Sequence, residues 1–359
     1  MKIAVAMSGG VDSSTAAAIL IEEGHEVIGL TMHLWDSLPD APGEAGSRPA
    51  PGHVAEARRV AEQLGIPHRV IPLQELFASE IVGYFVDEYL RGRTPNPCVL
   101  CNRRIKFGAL LKKAEELGAS ALATGHYARI QWEPSVSRFK LRRGRDRRKD
   151  QSYFLFLLGQ EQMGKILLPL GDKAKDEVRE QAFRLNLPAA RKAESQEICF
   201  IPDNDYRKFV ETRKGEGIAK AGKIVNAQGQ VLGRHEGIYA YTVGQRRGLG
   251  IAAPHPHYVL ALDAGKNTVI AGRNEELFTA GLTVRAVNWV SIPPPEGKIE
   301  ADVQIRYRHP GAPGTLVPLQ GGRVRVELKI PQRAVTPGQA AVFYRGDELL
   351  GGGWIEKNL

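Results

Sequence analysis

The residues best placed to do chemistry near the start of the chain are Ser8-Gly-Gly-Val-Asp-Ser-Ser14. They lie between an apolar run over residues 3–7 and an Ala-rich helical run over residues 15–23. A strand that enters a glycine turn and continues into a helix presents free backbone N–H groups and the positive end of the helix dipole at one point. With serine hydroxyls beside them, these groups predict a phosphate-binding loop. An ordinary Ser-Gly-Gly turn is the alternative.

The loop belongs to neither of two common phosphate-binding types. No Lys-Ser/Thr pair follows the glycines, as it does in a Walker loop, and the Gly-x-Gly-x-x-Gly of dinucleotide sites is absent. The loop resembles instead the pyrophosphatase-type loop of enzymes that split ATP between its α and β phosphates to adenylate an oxygen. The resemblance implies that the loop amides, Ser8 and Ser13 hold pyrophosphate, and that Asp12 lies near Mg²⁺.

The three cysteines are a second candidate for chemistry. Cys98 and Cys101 form a Cys-x-x-Cys pair directly after Thr94-Pro-Asn-Pro97, where a helix can begin, and Cys199 is distant in sequence. So few cysteines do not form a structural disulfide framework. The helix dipole stabilises a thiolate in the first turn, and three basic residues follow Cys101 within five positions. We therefore expect a reactive thiolate, the alternative being three small buried apolar residues.

Positive charge is concentrated between residues 138 and 149, where eight of twelve residues are basic and only Asp146 is acidic. The whole chain has 49 Lys and Arg against 40 Asp and Glu, a formal net charge of +9. Counterion release from a phosphate backbone makes such a run a strong electrostatic handle, and RNA is the partner that we expect. The alternative is a merely solvated loop.

The length of 359 residues predicts two or three domains. Up to about residue 124, short apolar strands alternate with helical runs, the latter including residues 54–65, 76–91 and 105–118. This alternation predicts a parallel sheet wrapped on both faces, with the nucleotide at the carboxyl ends of its strands. The segment from Asp36 to Gly52, with four Pro and three Gly, is predicted to be a loop over the ATP.

After about Ile201, short β-type stretches with Gly and Pro punctuation predict small barrels. The expected fold class is α/β + β. An N-terminal doubly wound parallel-sheet ATP-pyrophosphatase (PP-loop) domain over residues 1–202 precedes a small, mainly β central domain over 203–272 and a C-terminal β-barrel over 273–359. No run approaches the length of a membrane span, and Met1 leads directly into the first strand. We therefore expect a cytoplasmic protein without a membrane partner.

Nine blocks of sequence in a fixed order carry a family resemblance. They are Ser8-Gly-Gly-Val-Asp-Ser-Ser14, Gly92-Arg-Thr-Pro-Asn-Pro-Cys-Val-Leu-Cys-Asn-Arg-Arg-Ile-Lys-Phe107, Thr124-Gly-His-Tyr-Ala128, Asp146-Arg-Arg-Lys-Asp-Gln-Ser-Tyr-Phe-Leu155, Ser195-Gln-Glu-Ile-Cys-Phe-Ile201, Tyr241-Thr-Val-Gly-Gln-Arg-Arg-Gly-Leu-Gly-Ile251, Ile305-Arg-Tyr-Arg308, Val335-Thr-Pro-Gly-Gln339 and Leu350-Gly-Gly-Gly-Trp354. They resemble the tRNA-specific 2-thiouridylases, the MnmA family, over nearly the full chain. The resemblance implies ATP-dependent replacement of the C2 oxygen of wobble uridine 34 by sulfur in tRNAs for Lys, Glu and Gln. It also implies a sulfur-donor protein, either a cysteine desulfurase or a sulfur-relay carrier.

The resemblance also implies roles for individual residues. ATP would be bound by Ala6, Met7, Ser8, Gly9, Gly10, Val11, Asp12, Ser13, Met32 and Gly125. Asn96, Pro97 and Cys98 would face the flipped uridine. Further tRNA contacts would be made by the central and C-terminal domains and by His126, Lys149, Asp150, Gln151, Arg306, Tyr307 and Gln339. Cys199 would carry sulfur as a persulfide and Cys101 would attack it, releasing sulfide or leaving a Cys101–Cys199 disulfide.

Alternatives stay open at this point. Cys98, Cys101 and Cys199 could instead supply three thiolates to a [4Fe–4S] cluster with one iron left open for sulfide. A small-molecule synthetase would share the loop, but it would leave the cysteines and the basic stretch without a role. A non-catalytic RNA-binding protein would leave the phosphate-binding loop without a role. Pyrophosphate release that depends on tRNA separates these classes, and a monomer is the expected state.

Overall fold

The structure is a computed structural model that describes residues 1–35, 52–191, 198–201, 204–215 and 220–359. The loop predicted from Asp36 to Gly52 lies outside these residues except for Gly52, where a helix begins. The chain divides into two compact units. Unit 1 comprises Met1–Ile81, Cys98–Gln196 and Asp347–Leu349, and unit 2 comprises Val82–Pro97, Glu197–Gly346 and Leu350–Leu359.

A parallel sheet is the framework of unit 1. The strands in its described part are β1 (Lys2–Ala6), β2 (Glu26–His33), β3 (His68–Pro72), β4 (Ala121–Ala123), β5 (Ala128–Glu133), β6 (Arg138–Arg143) and β7 (Ile166–Leu167). Five of them form the sheet, in the order β3-β2-β1-β4-β7. Strands β5 and β6 form an antiparallel hairpin, and β6 also pairs with Glu348 and Leu349.

Helices flank this sheet, and others belong to unit 2. They are α1 (Val11–Glu22), α2 (Gly52–Gln63), α3 (Gln74–Phe77), α4 (Tyr84–Leu90), α5 (Pro97–Leu100), α6 (Leu111–Glu116), α7 (Gln160–Met163), α8 (Lys175–Arg184) and α9 (Tyr206–Lys214), with π-helical segments at Ala78–Gly83 and Cys101–Leu110. No helix within the described ranges combines the length and apolar character that a bilayer crossing requires.

The central strand β1 explains where ligands can bind. Its residues Ile3, Ala4 and Val5 are fully buried, as expected for a parallel strand covered on both faces. The chain adds β2 and β3 on one side of β1, and β4 and β7 on the other. Strand order therefore reverses at β1, and in such sheets the crevice at the carboxyl ends beside the reversal is the ligand site. The doubly wound parallel sheet predicted from the sequence is confirmed.

Two predicted helices differ in detail from the observed ones. The helix predicted over residues 76–91 is observed as α3, the π-helical Ala78–Gly83 and α4 in succession. The helix predicted over residues 105–118 begins earlier, at Pro97, and continues through Cys101–Leu110 into α6. Proline is favoured at a first helical position because the N–H that it lacks would have no partner there. The Cys-x-x-Cys therefore occupies the first turns of a helix.

The second half of the chain is mainly β. Strands β8 (Gly222–Val225), β9 (Val231–His235), β10 (Tyr258–Asp263) and β11 (Thr268–Gly272) form a sheet in the order β10-β11-β8-β9. A six-stranded barrel, closed by pairing of its last strand with its first, consists of β12 (Phe278–Trp289), β13 (Ile299–Gln304), β14 (Ala312–Leu319), β15 (Arg323–Arg333), β16 (Ala340–Arg345) and β17 (Glu348–Asn358). The predicted C-terminal barrel is confirmed. Helix α9 and strands β9, β14 and β17 were not predicted.

Glycines in β17 allow the barrel to close. A Cβ atom at Gly351 would lie 2.5 Å from the carbonyl oxygen of Asn288, and one at Gly353 would lie 2.6 Å from that of Arg285. No real Cβ approaches a carbonyl oxygen so closely, so only glycine lets β17 pack against β12 at these points. Two of the three glycines in the last sequence block, Gly351 and Gly353, thus have a structural reason.

Candidate active site

The loop between β1 and α1, residues 8–13, has the geometry of an anion-binding site and is called the anion seat below. Gly9 has φ +72°, and a Cβ there would lie 2.6 Å from Cβ of Glu56. The Ser13 hydroxyl accepts a hydrogen bond from the Ser8 N–H at 3.2 Å and donates to the Gly10 carbonyl at 3.1 Å. The N-cap residue of α1 is Gly10, which has no side chain to accept hydrogen bonds from the first turn. The N–H groups of that turn are therefore not taken up by a capping side chain of this residue, which suits anion binding.

The ATP residues implied by the sequence converge at the carboxyl ends of three neighbouring strands. Ala6 ends β1, Met32 is the penultimate residue of β2, and Gly125 follows β4. A Cβ at Gly125 would lie 2.7 Å from the carbonyl carbon of Asp12 and 2.8 Å from the nitrogen of Ser13. Glycine is thus required where the chain leaving β4 packs against the first turn of α1.

Two further residues of the predicted ATP set have buried side chains. Met7 and Val11 are 3% and 5% exposed and pack in apolar clusters of unit 1. The N–H of Met7 donates to the Leu30 carbonyl at 2.8 Å. Any contact of these residues with a nucleotide would therefore use backbone atoms, such as the N–H of Val11 at the start of α1.

Asp12 is held by two residues that the sequence analysis did not select. Its Oδ1 accepts a hydrogen bond from the Tyr127 hydroxyl at 2.7 Å and lies 2.6 Å from Nζ of Lys175. The Lys175 side chain is only 3% exposed, and Nζ lies 5.6 Å from the centre of the Tyr127 ring. These partners lie 115 and 163 residues from Asp12 along the chain. Tyr127 lies inside one of the nine blocks, whereas Lys175 lies in none.

The Cys-x-x-Cys thiols are less acidic than the sequence predicts. Cys98 is exposed and Cys101 partly exposed. The protein packed around the two thiols raises the pKa of both, that of Cys101 to about 11. Lys106 lowers both pKa values, but by less than burial raises them. Desolvation thus opposes the thiolate stabilisation expected from the helix start and the positive neighbours.

A neutral histidine shares the electrostatic environment of these thiols. His126 is 8% exposed, and its Nδ1 lies 2.6 Å from the Thr124 hydroxyl oxygen. Its ring centre is 5.7 Å from that of Phe107. Burial and the charge of Lys106 hold the pKa of His126 well below its ordinary value. The charge of Lys106 also lowers the pKa of both thiols. A further charge bound near Lys106 would therefore shift the pKa of Cys98, Cys101 and His126 together.

In unit 2, Gln339 holds the segment that precedes the Cys-x-x-Cys. Its Nε2 donates to the carbonyl oxygens of Thr94 and Pro95, both at 3.1 Å. Asn96 and Pro97 follow directly, and both are buried. Three residues expected to contact tRNA, namely Asn96, Pro97 and Gln339, are thus brought together. The Gln339 amide binds the backbone of this segment through its two carbonyl acceptors.

Residues 149–151 form a turn whose polar groups are largely engaged within unit 1. The buried Asp150 carboxylate accepts hydrogen bonds from four groups: the Arg143 guanidinium, the N–H groups of Gly144 and Ser152, and the Ser152 hydroxyl. The side-chain Oε1 of Gln151 accepts a hydrogen bond from the Tyr127 backbone N–H at 3.0 Å, and the backbone N–H of Gln151 donates to the Tyr127 carbonyl at 2.8 Å. Asp150 and Gln151 thus shape the turn, and Lys149 is its partly buried cation.

Much of the positive charge between residues 138 and 149 is matched by carboxylates in the same unit. Ion pairs join Lys140 to Glu348, Arg143 to Asp150, Arg145 to Glu177, Arg147 to Asp347 and Arg148 to Asp146. Arg142 forms no ion pair with any residue that the structure describes. The run is therefore a weaker electrostatic handle than its composition predicts, because the fold brings distant acids to it.

The remaining predicted residues lie in unit 2. Cys199 is exposed. Arg306, after β13, is exposed and donates to the Arg333 carbonyl at 3.3 Å, and the Tyr307 carbonyl accepts a hydrogen bond from Gln304 at 2.6 Å. In the described ranges, no group of three or more His, Cys, Asp or Glu side chains is arranged to hold a metal ion.

Comparison with known proteins places this site in a family. Three family models match the chain in succession: the tRNA methyl transferase HUP domain over residues 1–203, the tRNA methyl transferase PRC-barrel domain over 207–273 and the aminomethyltransferase β-barrel domain over 279–355. The tRNA-specific 2-thiouridylase MnmA of Geobacter metallireducens is 55% identical over 99% of this chain and 96% of its own length. The chain belongs to the MnmA family.

Other MnmA proteins are similar over a comparable length. Those of Carboxydothermus hydrogenoformans and Moorella thermoacetica are 50% and 53% identical, over 100% and 98% of this chain and 98% of each relative. The MnmA resemblance carried by the nine blocks is therefore confirmed. Lys175 contacts Asp12 but lies in none of the nine blocks, because this contact exists only in the folded chain.

Proposed function

We propose that the chain is an ATP-dependent tRNA 2-thiouridylase that replaces O2 of wobble uridine 34 by sulfur in tRNAs for Lys, Glu and Gln. The observation that carries the proposal is the presence, in one unit, of an anion seat with an uncapped helix start and of a Cys-x-x-Cys pair. The first suits activation of an oxygen, and the second suits sulfur chemistry. Membership of the MnmA family supports the same activity.

The first step converts a poor leaving group into a good one. Uridine O2 attacks the α-phosphorus of ATP, so that an O2–P bond forms. The bond from this phosphorus to the bridging oxygen breaks, pyrophosphate leaves with the electron pair, and the N3 proton passes to solvent. The N–H groups at the start of α1 and the Ser8 hydroxyl bind the pyrophosphate. The Ser13 hydroxyl joins them by turning from the Gly10 carbonyl to a phosphate oxygen.

Asp12 is the residue proposed to hold Mg²⁺. Tyr127 and Lys175 both contact Oδ1, so Oδ2 is the oxygen proposed as the ligand. A carboxylate oxygen suits this hard cation, which usually keeps several waters and binds substrate phosphates at the same time. When bound, Mg²⁺ would neutralise charge on the phosphate oxygens.

The second step uses two cysteines. The Cys101 thiolate attacks Sγ of a Cys199 persulfide, a disulfide forms between them, and HS⁻ is expelled. HS⁻ then attacks C2 of the adenylated uridine, AMP leaves with the electron pair of the C–O bond, and the hydrogen ends on N3. A dithiol reductant restores both thiols, and a cysteine desulfurase or sulfur-relay carrier reloads Cys199. The raised pKa of Cys101 limits the attack to a small thiolate fraction at neutral pH.

Two alternative chemistries can be tested beside this one. A [4Fe–4S] cluster on Cys98, Cys101 and Cys199 would make Cys98 as necessary as the other two cysteines. The names of two matched domain families, the tRNA methyl transferase HUP and PRC-barrel domains, suggest methyl transfer instead. Methyl transfer from a sulfonium donor would use neither ATP cleavage nor thiols.

The experiment is wobble-uridine thiolation by protein prepared without oxygen, given unmodified tRNA, ATP, Mg²⁺, a persulfide donor and a dithiol reductant. Nucleoside mass spectrometry measures 2-thiouridine. Cys101→Ser and Cys199→Ser abolish the product, and Cys98→Ser is the matched control that keeps it. If Cys98→Ser is inactive and the wild-type protein absorbs at about 400 nm, the cluster is favoured. Methyl incorporation from S-adenosylmethionine without 2-thiouridine would overturn the proposal.

Three further assignments belong to this proposal. The domains divide at residues 202 and 272, with tRNA contacts from the central and C-terminal domains, including Arg306 and Tyr307. Lys149, His126 and Gln339 contact tRNA, and Asn96, Pro97 and Cys98 face the flipped uridine. The protein acts as a cytoplasmic monomer. The measurement for the contacts is crosslinking of a 4-thiouridine-labelled anticodon, which should label residues 96–98.

A further inference from the structure

We propose that Lys175 is a catalytic residue for adenylation, whose ammonium group binds the phosphates of ATP and stabilises the departing pyrophosphate. The inference rests on the proposed function and names a residue that no sequence block contains. Nζ of Lys175 lies 2.6 Å from Oδ1 of Asp12, which belongs to the first turn of α1 at the anion seat. The two residues come from different elements, so the fold alone brings the cation to this point.

The anion seat needs a cation that its own residues lack. The block Ser8-Gly-Gly-Val-Asp-Ser-Ser14 contains one carboxylate and no basic side chain. A Walker loop, in contrast, carries its own lysine for the phosphates. Phosphoryl and nucleotidyl transfer depend on positioned positive charge, because negative charge develops on the leaving phosphate oxygens. Lys175 supplies this charge from the start of α8.

Lys175 is fixed at both ends. Its backbone N–H donates to Oδ2 of Asp146 at 3.2 Å, and Asp146 in turn holds the Arg148 guanidinium at 3.2 Å. Its side chain lies beside the Tyr127 ring and is 3% exposed. An ammonium group taken out of water pays a desolvation cost that pairing with a carboxylate does little more than offset. Stability therefore gives little reason for burying this cation beside a phosphate-binding loop, whereas catalysis does.

The ion pair with Asp12 is compatible with phosphate binding. An ammonium group has three N–H donors. One can stay on Asp12 Oδ1 while another binds a phosphate oxygen, and Asp12 Oδ2 serves Mg²⁺. As the bond between the α-phosphorus and the bridging oxygen breaks, the charge on that oxygen grows, so the ammonium stabilises the transition state more than bound ATP.

The test compares Lys175→Met, which keeps most of the side-chain volume without the charge, with Lys175→Arg and with the control Lys173→Met two residues away. Dissociation constants for ATP, inorganic pyrophosphate and AMP are measured without tRNA, and ATP–pyrophosphate exchange is measured with tRNA. Lys175→Met should weaken ATP and pyrophosphate binding at least about tenfold and slow exchange by roughly 10²–10³. AMP binding should stay within about twofold, and Lys175→Arg should restore part of the pyrophosphate affinity.

The outcomes separate this inference from the proposed function. If Lys175→Met binds pyrophosphate as the parent does, Lys175 does not contact the phosphates. If ATP, pyrophosphate and AMP binding all weaken together and the unfolding temperature falls, Lys175 has only a structural role, and the inference is again overturned. If the parent itself shows no tRNA-dependent exchange, the proposed function fails, whereas a loss of pyrophosphate affinity in Lys175→Met would still support the phosphate contact.

Discussion

Two adjacent glycines in the anion seat should respond to alanine in opposite ways. Gly9 has φ +72°, and a Cβ on it would lie 2.6 Å from Cβ of Glu56 and 3.0 Å from the nitrogen of Ala57. Gly10 has φ −86° and ψ 161°, and the nearest atom to a Cβ on it is Ser8 Oγ at 3.5 Å. The first position lacks both space and a permitted backbone, whereas the second has both. Any intolerance of alanine at Gly10 must therefore come from a ligand.

The magnitudes follow from these distances. A left-handed backbone conformation costs a non-glycine residue about 1–2 kcal/mol. The clash with α2 adds about 1–3 kcal/mol, because backbone atoms are involved and cannot turn away. Gly9→Ala should therefore lose roughly 2–5 kcal/mol, which lowers the unfolding midpoint by roughly 5–15 °C. Gly10→Ala should unfold at the same temperature or slightly higher, since alanine restricts the unfolded chain.

The assay measures thermal unfolding by circular dichroism and tRNA-dependent ATP–pyrophosphate exchange on the same preparations. Gly10→Ala is expected to lose at least about tenfold in exchange at unchanged stability, because its methyl group projects beside Ser8 Oγ, where the phosphate is proposed to bind. Binding of tRNA, measured by filter retention, should not change. Normal exchange by Gly10→Ala would refute the placement of pyrophosphate, and an unaltered midpoint for Gly9→Ala would refute the backbone argument.

Three further predictions concern thiol chemistry and charge. The pKa of Cys101 is about 11, against an ordinary value of 9.0. At pH 7.5, Cys101 should therefore react with iodoacetamide about 100-fold more slowly in the folded than in the urea-unfolded protein, and the folded rate should rise about tenfold per pH unit. Equal rates in the two states would contradict the effect of burial. Arg143→Ala strands the buried Asp150 carboxylate and should cost roughly 2–4 kcal/mol in urea unfolding, which Asp150→Asn in the same chain should partly restore. Arg142→Ala should lower the salt slope of tRNA binding by about one unit, and replacing a paired arginine such as Arg147 should lower it by less.

The fold and much of the candidate site could be predicted because their signals are local. A glycine turn between an apolar strand and a helix specifies its own geometry, and the observed loop, with Gly9 at positive φ, follows it. The Pro97-Cys98 junction likewise marks a helix start, which is where α5 begins. Strand β14 was missed because its two prolines argue against a strand. Helix α9 was missed although the sequence carries a signal for it, since Asp205 caps its first turn and its apolar residues lie on one face.

The predictions that the structure modifies concern electrostatics, which depends on the whole surroundings of a group. Positive residues near Cys101 in sequence suggested an acidic thiol, but the protein packed around the sulfur raises its pKa. The basic run suggested an open cationic surface, but Glu177 and Asp347 reach it from distant parts of the chain. Desolvation and ion pairing are sums over neighbours in space, and sequence distance says little about them.

The sequence by itself therefore determined the chemistry that is present: a phosphate-binding loop, two cysteines at a helix start and a third far away, and membership of a tRNA-modifying family. Only the tertiary structure decided how these groups are tuned. It placed Lys175 and Tyr127 on Asp12 from 163 and 115 residues away, and it required glycine at position 125 by packing the end of β4 against α1. The physical reason is that hydrogen bonds within a turn depend on neighbouring dihedral angles, whereas a buried ion pair depends on which strands and helices the completed fold brings together.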